Sequence, residues 1–144
     1  MNSKKSNNKY ILKLKKGEEV IETLTRFCED NDVKSGSITG IGATDNATLN
    51  YFDLEKGDYI PKKFSGKNYE ILSLNGNITL VKDKVKDKPF VHIHITLGDS
   101  DYNVFGGHLV SADISVTCEI IINVIDETIY RKMDEGFKLN FLDL

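Results

Sequence analysis

The chain has 144 residues, 40% of them hydrophobic and 28% charged, which is enough to bury one substantial core and excludes a wholly disordered chain. Its net charge of −3 supplies no overall basic field for holding DNA or an anionic membrane. No run approaches the ~20 apolar residues of a membrane-spanning helix, and no apolar signal-peptide core follows the polar, lysine-rich start, so the cytoplasm is the expected compartment.

Residues 1–9 read as a disordered polar tail and residues 10–144 as a single domain. Tyr10, Ile11, Leu12 and Leu14 form a short strand-like run. Gly17, Glu18 and Glu19 then open a helix whose apolar residues Val20, Ile21, Leu24, Phe27 and Cys28 make a one-sided stripe, with acidic residues suited to the helix dipole in its first turn. The polar cluster Asp30, Asn31 and Asp32 ends it.

Beyond the helix the pattern shifts to period two and β-branched residues. Strands are predicted at 35–42, 47–53, 69–74, 77–82, 90–97, 103–109 and 114–125. Asn75-Gly76 between two of these runs signals a tight hairpin turn, and the alternating Lys and Asp of 82–88 read as an exposed, solvated hairpin loop. Residues 129–133 fit a helix or a strand, Gly136 marks a turn, and 139–142 fit a last strand. Cys28 and Cys118 are expected to be free buried thiols rather than a disulfide.

The three histidines fall close together, in Val91-His92-Ile93-His94-Ile95-Thr96-Leu97 and Gly106-Gly107-His108. Alternate residues of a strand share a face, so His92 and His94 point together, away from Val91, Ile93, Ile95 and Leu97. A turn at Gly98 to Asp101 folds the next strand back and brings His108 near them. Gly106 and Gly107 remove side-chain bulk where a third ligand must approach. Three imidazoles with an open fourth position suit zinc, although copper, nickel and iron also accept imidazole. Asp99, Asp101, Glu70 and Glu119 are candidate supporting carboxylates or a fourth ligand.

The same segments resemble a known family. Gly66 to Ile78, Pro89 to His94, Gly106 to Leu109, Thr117 to Ile120 and the glycine-containing Ser37 to Ala43 occur in the order found in the PPC domain, the plants-and-prokaryotes domain that follows AT-hook segments in plants. The resemblance runs from about Tyr10 to Leu142. It implies an α+β fold, a strongly bent, mainly antiparallel β-sheet packed on one principal α-helix, assembled as a homotrimer. It also implies that His92, His94 and His108 are the metal ligands of the stand-alone prokaryotic members. Glu70 matches the glutamate of the family's Gly-Arg-Phe-Glu-Ile-Leu stretch, but Asn68 stands where the family has arginine, so that arginine's role does not carry over. The resemblance brings a DNA-binding label, yet no Arg-Gly-Arg-Pro occurs and the only arginines are Arg26 and Arg131.

Three functions stay open. The first is a homotrimer binding zinc through the three histidines, with Glu70 or Glu119 as general base if the metal activates water. The second is a DNA-associated regulatory protein on AT-rich duplex, with Lys62, Lys63 and the lysines of 82–88 on phosphates. The third is a small-molecule or assembly module without catalysis, although Gly40-Ile41-Gly42 and Gly106-Gly107 lack the spacing of phosphate-binding loops. No serine or cysteine adjoins a histidine as a covalent nucleophile would.

Overall fold

The amphipathic stretch after Gly17 becomes α1 (Val20–Asp30) in the computed structural model, which describes residues 1–144. Glu19 caps it, its carboxylate accepting the N–H groups of Ile21 at 3.1 Å and Glu22 at 2.6 Å, two donors that the first turn would otherwise leave unpaired. At the other end the Asn31 side chain donates to the Phe27 carbonyl at 2.9 Å. Val20, Leu24, Phe27 and Cys28 face the sheet and are buried.

The remaining elements are strands: β1 (Asn2–Ser6), β2 (Lys9–Lys15), β3 (Gly36–Asp53), β4 (Asp58–Val81), β5 (Lys88–Gly98), β6 (Val104–Val124), β7 (Tyr130–Met133) and β8 (Asn140–Asp143). They form one sheet in the order β1-β2-β6-β3-β4-β7-β8, and β5 pairs with both β4 and β6. Every pairing is antiparallel except β4 with β7. Strands β3, β4, β5 and β6 therefore close a circuit of paired neighbours. Register shifts interrupt the ladders at Gly40/Gly42, Thr44/Asn46 and Ile71/Ser73, the local irregularities that let long strands bend.

Three expectations change. The supposed tail is strand β1, paired along its length with β2, with the Lys5 ammonium over the Tyr10 ring at 5.2 Å and the Met1 ammonium on the Glu18 carboxylate. Asn75-Gly76 is no turn, because β4 runs straight through it. Gly76 is required by crowding rather than by a turn: a Cβ there would lie 2.1 Å from the His92 carbonyl oxygen. The runs at 35–42 and 47–53 join into β3, those at 103–109 and 114–125 join into β6, and 58–68, given no element in the sequence reading, is the first half of β4. Bulges hide this continuity, since each one flips the alternation that marks a strand.

Alternation then sorts the residues. Tyr10, Leu12 and Leu14 of β2, Ile38 of β3, Leu74 and Ile78 of β4, Ile93, Ile95 and Leu97 of β5, and Cys118, Ile120 and Ile122 of β6 join the core against α1. Both cysteines are free and buried, and burial pushes each thiol up to about 12, so neither is a reactive thiolate at neutral pH. The opposite face of β5 carries His92 and His94.

Candidate metal centre

Because Ile93, Ile95 and Leu97 are committed to the core, β5 must turn His92 and His94 the other way. The chain reverses after Gly98, where the Asp99 carboxylate accepts the N–H groups of Asp101 and Asn103 at 3.0 Å each. That reversal sets β6 against β5 with His108 directly opposite His94. Gly106 and Gly107 permit the approach, since an added Cβ would lie 3.0 Å from the carbonyl oxygens of Ile95 and Asn50 respectively. The three rings meet on one face, with centroids 5.2 Å apart for His92–His94, 5.0 Å for His92–His108 and 5.6 Å for His94–His108. One ligand nitrogen from each lies within 4.8 Å of the others.

Burial and neighbouring charge keep two of these rings neutral. His92 is pushed down from 6.5 to about 4, first by burial and then by Arg131 and the other two histidines. His108 is lowered by burial, His94 and Arg131, in that order. Neutral imidazole is the form that offers a lone pair to a metal.

Arg131, only 8% exposed, is the charged group nearest the cluster. Its Nε donates to Thr79 Oγ1 at 3.0 Å, Nη1 to the Asn140 carbonyl at 2.7 Å, and Nη2 to Asn77 Oδ1 at 2.8 Å and to His92 Nδ1 at 3.2 Å. Its guanidinium also lies over the Phe90 ring at 4.9 Å. A guanidinium only donates, so His92 Nδ1 accepts and the proton of the neutral ring sits on Nε2. On the other side Tyr59 stacks on His108 at 5.5 Å, with the ring planes 23° apart.

The residues fit a metal. The donor set is entirely imidazole nitrogen, as zinc accepts. Bonds of 2.0–2.1 Å in a tetrahedron place ligand atoms roughly 3.4 Å apart, so the 4.8 Å spread closes by modest side-chain rotation. His108 Nδ1 and Asn50 Oδ1, on register partners of β6 and β3, are both buried without a hydrogen-bond partner. Buried polar atoms are rarely left so, and a bound ion would reorganise this pair. The cluster is thus able to coordinate a metal ion.

The carboxylates expected around it are elsewhere. Glu70 lies opposite Gly98 of β5, four residues or roughly 13 Å along the strand from His94. Glu119 lies opposite Ile41 and Lys13. Both glutamates line an open hollow with Ile41, Leu72 and Val116. Asp99 holds the Lys67 ammonium at 2.9 Å and caps the turn, and Asp101 belongs to that turn. Within one chain the ligating cluster consists of the histidines alone. Sequence reading missed Arg131, Asn50, Asn77 and Tyr59 as their neighbours. Asn75 and Asn77 did carry a signal, being polar at alternate positions opposite His94 and His92, whereas nothing local marks Arg131.

Three of the six lysines expected on phosphates have partners within the chain. Lys82 pairs with Asp87 and Lys88 with Asp83, each at 2.9 Å, and Lys62 lies over the Phe64 and Phe105 rings. Residues 82–87 are the exposed loop joining β4 to β5, as the composition of 82–88 suggested.

A mainly antiparallel sheet on one helix, with imidazoles gathered on the sheet's outer face, defines a small metal-competent α+β domain. Residues 1–126 match the Plants and Prokaryotes Conserved (PCC) domain, and the chain belongs to that family. It is similar to a candidate DNA-binding protein from Bacteroides thetaiotaomicron, with 35% identity and a TM-score of 0.91 over 99% of this chain and 96% of that one. It is also similar to the metal-containing protein AF0104 from Archaeoglobus fulgidus, with 31% identity and a TM-score of 0.84 over 97% of this chain and 96% of that one. Bifunctional protein GlmU from Synechococcus sp. strain JA-3-3Ab is 28% identical over 115 residues, 78% of this chain, and the chain spans 16% of that protein's length. No helix is long and apolar enough to cross a membrane.

Proposed function

We propose that this chain is a metal-binding protein that holds a transition ion, zinc first, through His92, His94 and His108. The convergence of three imidazoles within 4.8 Å of one another carries this reading, and the likeness to a metal-containing protein supports it. When bound, the ion supplies Lewis acidity at its open position. The chain's own residues hold the rings before the ion enters: Tyr59 stacks on His108, and the Arg131 hydrogen bond occupies the Nδ1 lone pair of His92, so an ion at His92 must displace that bond at Nδ1 or the proton at Nε2. Self-association as a homotrimer belongs to the same proposal. Ile11 and Ile121 are cross-strand partners on the outer face, and with Ile41, Leu72 and Val116 they stand 41–66% exposed, the kind of apolar surface that a further copy covers.

Metal analysis of protein purified without a histidine tag tests the reading, with close to one zinc per chain expected. Less than about a tenth of an equivalent, with none taken up on titration, rejects it. Sedimentation of the same sample reads the assembly, and a monomer rejects the trimer.

A second reading, DNA binding, has its own support. The chain is similar to a candidate DNA-binding protein, and charge is segregated along it. Residues 1–16 hold six lysines and no acid, leaving thirteen basic against twenty-two acidic residues in the rest. Lys4, Lys9, Lys13 and Lys15 share the exposed face of the β1–β2 hairpin, which suits phosphate contact better than the ion-paired loop after β4. Lysines on an edge strand also serve simply to block further strand pairing. Anisotropy with an AT-rich duplex decides between them: binding that weakens steeply with salt and is lost when these four lysines become glutamine supports the reading, and no binding at tens of micromolar protein rejects it.

A further inference from the structure

A cleft of about 220 Å³ opens beside His92 and His108, lined also by Arg131, Lys138, Tyr59, Phe90 and the β7–β8 hairpin. Drug-sized ligands occupy roughly 300–1,000 Å³, so this cleft suits a molecule of about ten non-hydrogen atoms.

Its chemistry is one-sided. No aspartate or glutamate lines it, whereas two cations and two imidazoles do. Lys138 has no carboxylate within ion-pair distance, in contrast to Lys56, Lys67, Lys82 and Lys88. Its backbone is held at φ 56 by the turn, where its N–H donates to the Asp134 carbonyl at 2.8 Å. Arg131 spends four of its five N–H groups on Thr79, Asn140, Asn77 and His92, which leaves one Nη1 hydrogen uncommitted. Tyr59, Phe90, Leu139 and Phe141 make the apolar and aromatic part of the wall, and Asn140, whose carbonyl accepts from Arg131, completes it. A metal on the histidines would add positive charge to the same side.

We propose that this cleft binds a small organic monocarboxylate, its carboxylate between Lys138 and Arg131 and its flat apolar body against Tyr59, Phe90 and Phe141. The inference deepens the metal reading and rests on it for the cation that completes the field. A single carboxylate matches the two available donors, the Lys138 ammonium and one guanidinium hydrogen. A phosphate, with more charge and more oxygens to satisfy, would be left under-coordinated. The aromatic walls favour a planar body over an extended flexible one.

Benzoate is the probe, with benzamide as its neutral isostere and inorganic phosphate as the competing anion. Titrations followed by amide chemical shifts are run on zinc-loaded and metal-free protein. Benzoate is expected to bind at least about tenfold more tightly than benzamide, and Lys138→Ala to weaken it about fivefold or more while Lys138→Arg restores it. Metal content and thermal midpoint of both variants should match the parent, because Lys138 is exposed and its side chain makes no hydrogen bond or ion pair within the chain. Benzoate and benzamide binding within twofold of each other, phosphate binding more tightly than benzoate, or a Lys138→Ala variant that binds benzoate as the parent does would each overturn the proposal. If zinc does not load, the metal reading fails by itself, and the Lys138-dependent preference in metal-free protein still decides this one.

Discussion

β5 and β6, with β4 alongside, pass two chemically different places on one sheet. At the first, three imidazoles gather beside a buried guanidinium with no carboxylate among them. At the second, Glu70 and Glu119 stand among the exposed side chains of Ile41, Leu72 and Val116. Both places lie on the outward side of one sheet, and Glu70 shares the β4–β5 ladder with His92 and His94. Four residues of extended strand, roughly 13 Å, still separate them. Sharing a sheet face therefore does not amount to sharing a site. The first place is partly desolvated and lowers the proton affinity of His92 and His108, whereas the second leaves its carboxylates in water beside apolar groups. The first place is able to coordinate an ion, and the second exposes apolar side chains beside its carboxylates.

The comparison breaks most decisively at the histidines. Replacing His92 and His94 together by alanine removes two of three ligands and should lower zinc affinity by more than about a thousandfold, while the core that β5 builds from Ile93, Ile95 and Leu97 stays intact. Competition with a chromophoric chelator measures the first effect and thermal unfolding of metal-free protein the second. Retained affinity would mean that the imidazoles are not the ligands.

Gly76→Ala attacks the same place from behind. The new Cβ would lie 2.1 Å from the His92 carbonyl oxygen and 2.9 Å from Ile93 Cγ1, and neither the backbone nor the packed side chain has room to yield. A loss of about 3 kcal/mol is expected from overpacking, read from urea midpoints, together with weaker zinc binding as β5 shifts. An unchanged midpoint would mean that β4 and β5 are further apart here than the structure places them.

A smaller effect separates the two places by pH. His92 sits near 4 folded against an ordinary 6.5, so between those values the unfolded chain binds the proton that the native ring refuses. Stability is then full above about pH 6.5, declines as pH falls toward 4, and levels below that. The lowering of His108 acts in the same direction. Urea midpoints of metal-free protein across this range should fall with acid less steeply in His92→Gln than in the parent. Equal slopes would show that the ring is not held neutral.

Much of this was legible before any coordinates. The helix declared itself by its stripe and the acidic pair that opens it, and the histidine pair by strict alternation within a strand of strong β-branched character. The return of His108 could be read from the polar turn at 98–101 and the glycines before it. Strand continuity in β3, β4 and β6 was not legible, because bulges reset the period on which strand reading depends. Asn75-Gly76 misled for a related reason: glycine marks a forbidden Cβ as often as a turn, and the carbonyl that forbids it belongs to a different strand. Lys4, Lys5 and Lys9 looked like part of a solvated tail because the pairing of β1 with β2 is a tertiary fact. Arg131 was hidden entirely, since its four partners lie on β4, β5 and β8, far apart in sequence.

The smallest expected effect is the sharpest test of the separation between the two places. Glu70→Gln and Glu119→Gln each remove a charge while keeping the shape of the side chain. A carboxylate that served as fourth ligand, or oriented a ligand ring, would lower metal affinity about 10- to 100-fold when lost. A carboxylate in the exposed hollow can act on the histidines only by long-range attraction, which water and salt reduce to a few tenths of a kcal/mol at such distances. Zinc affinity within about twofold of the parent is therefore expected for both variants. If the glutamates nevertheless matter, concentration tells how. Should a tenfold loss appear only where the protein is associated, the carboxylates reach the metal from a neighbouring copy. If it persists in the monomer, the two places are coupled within one chain and the division drawn between them is wrong.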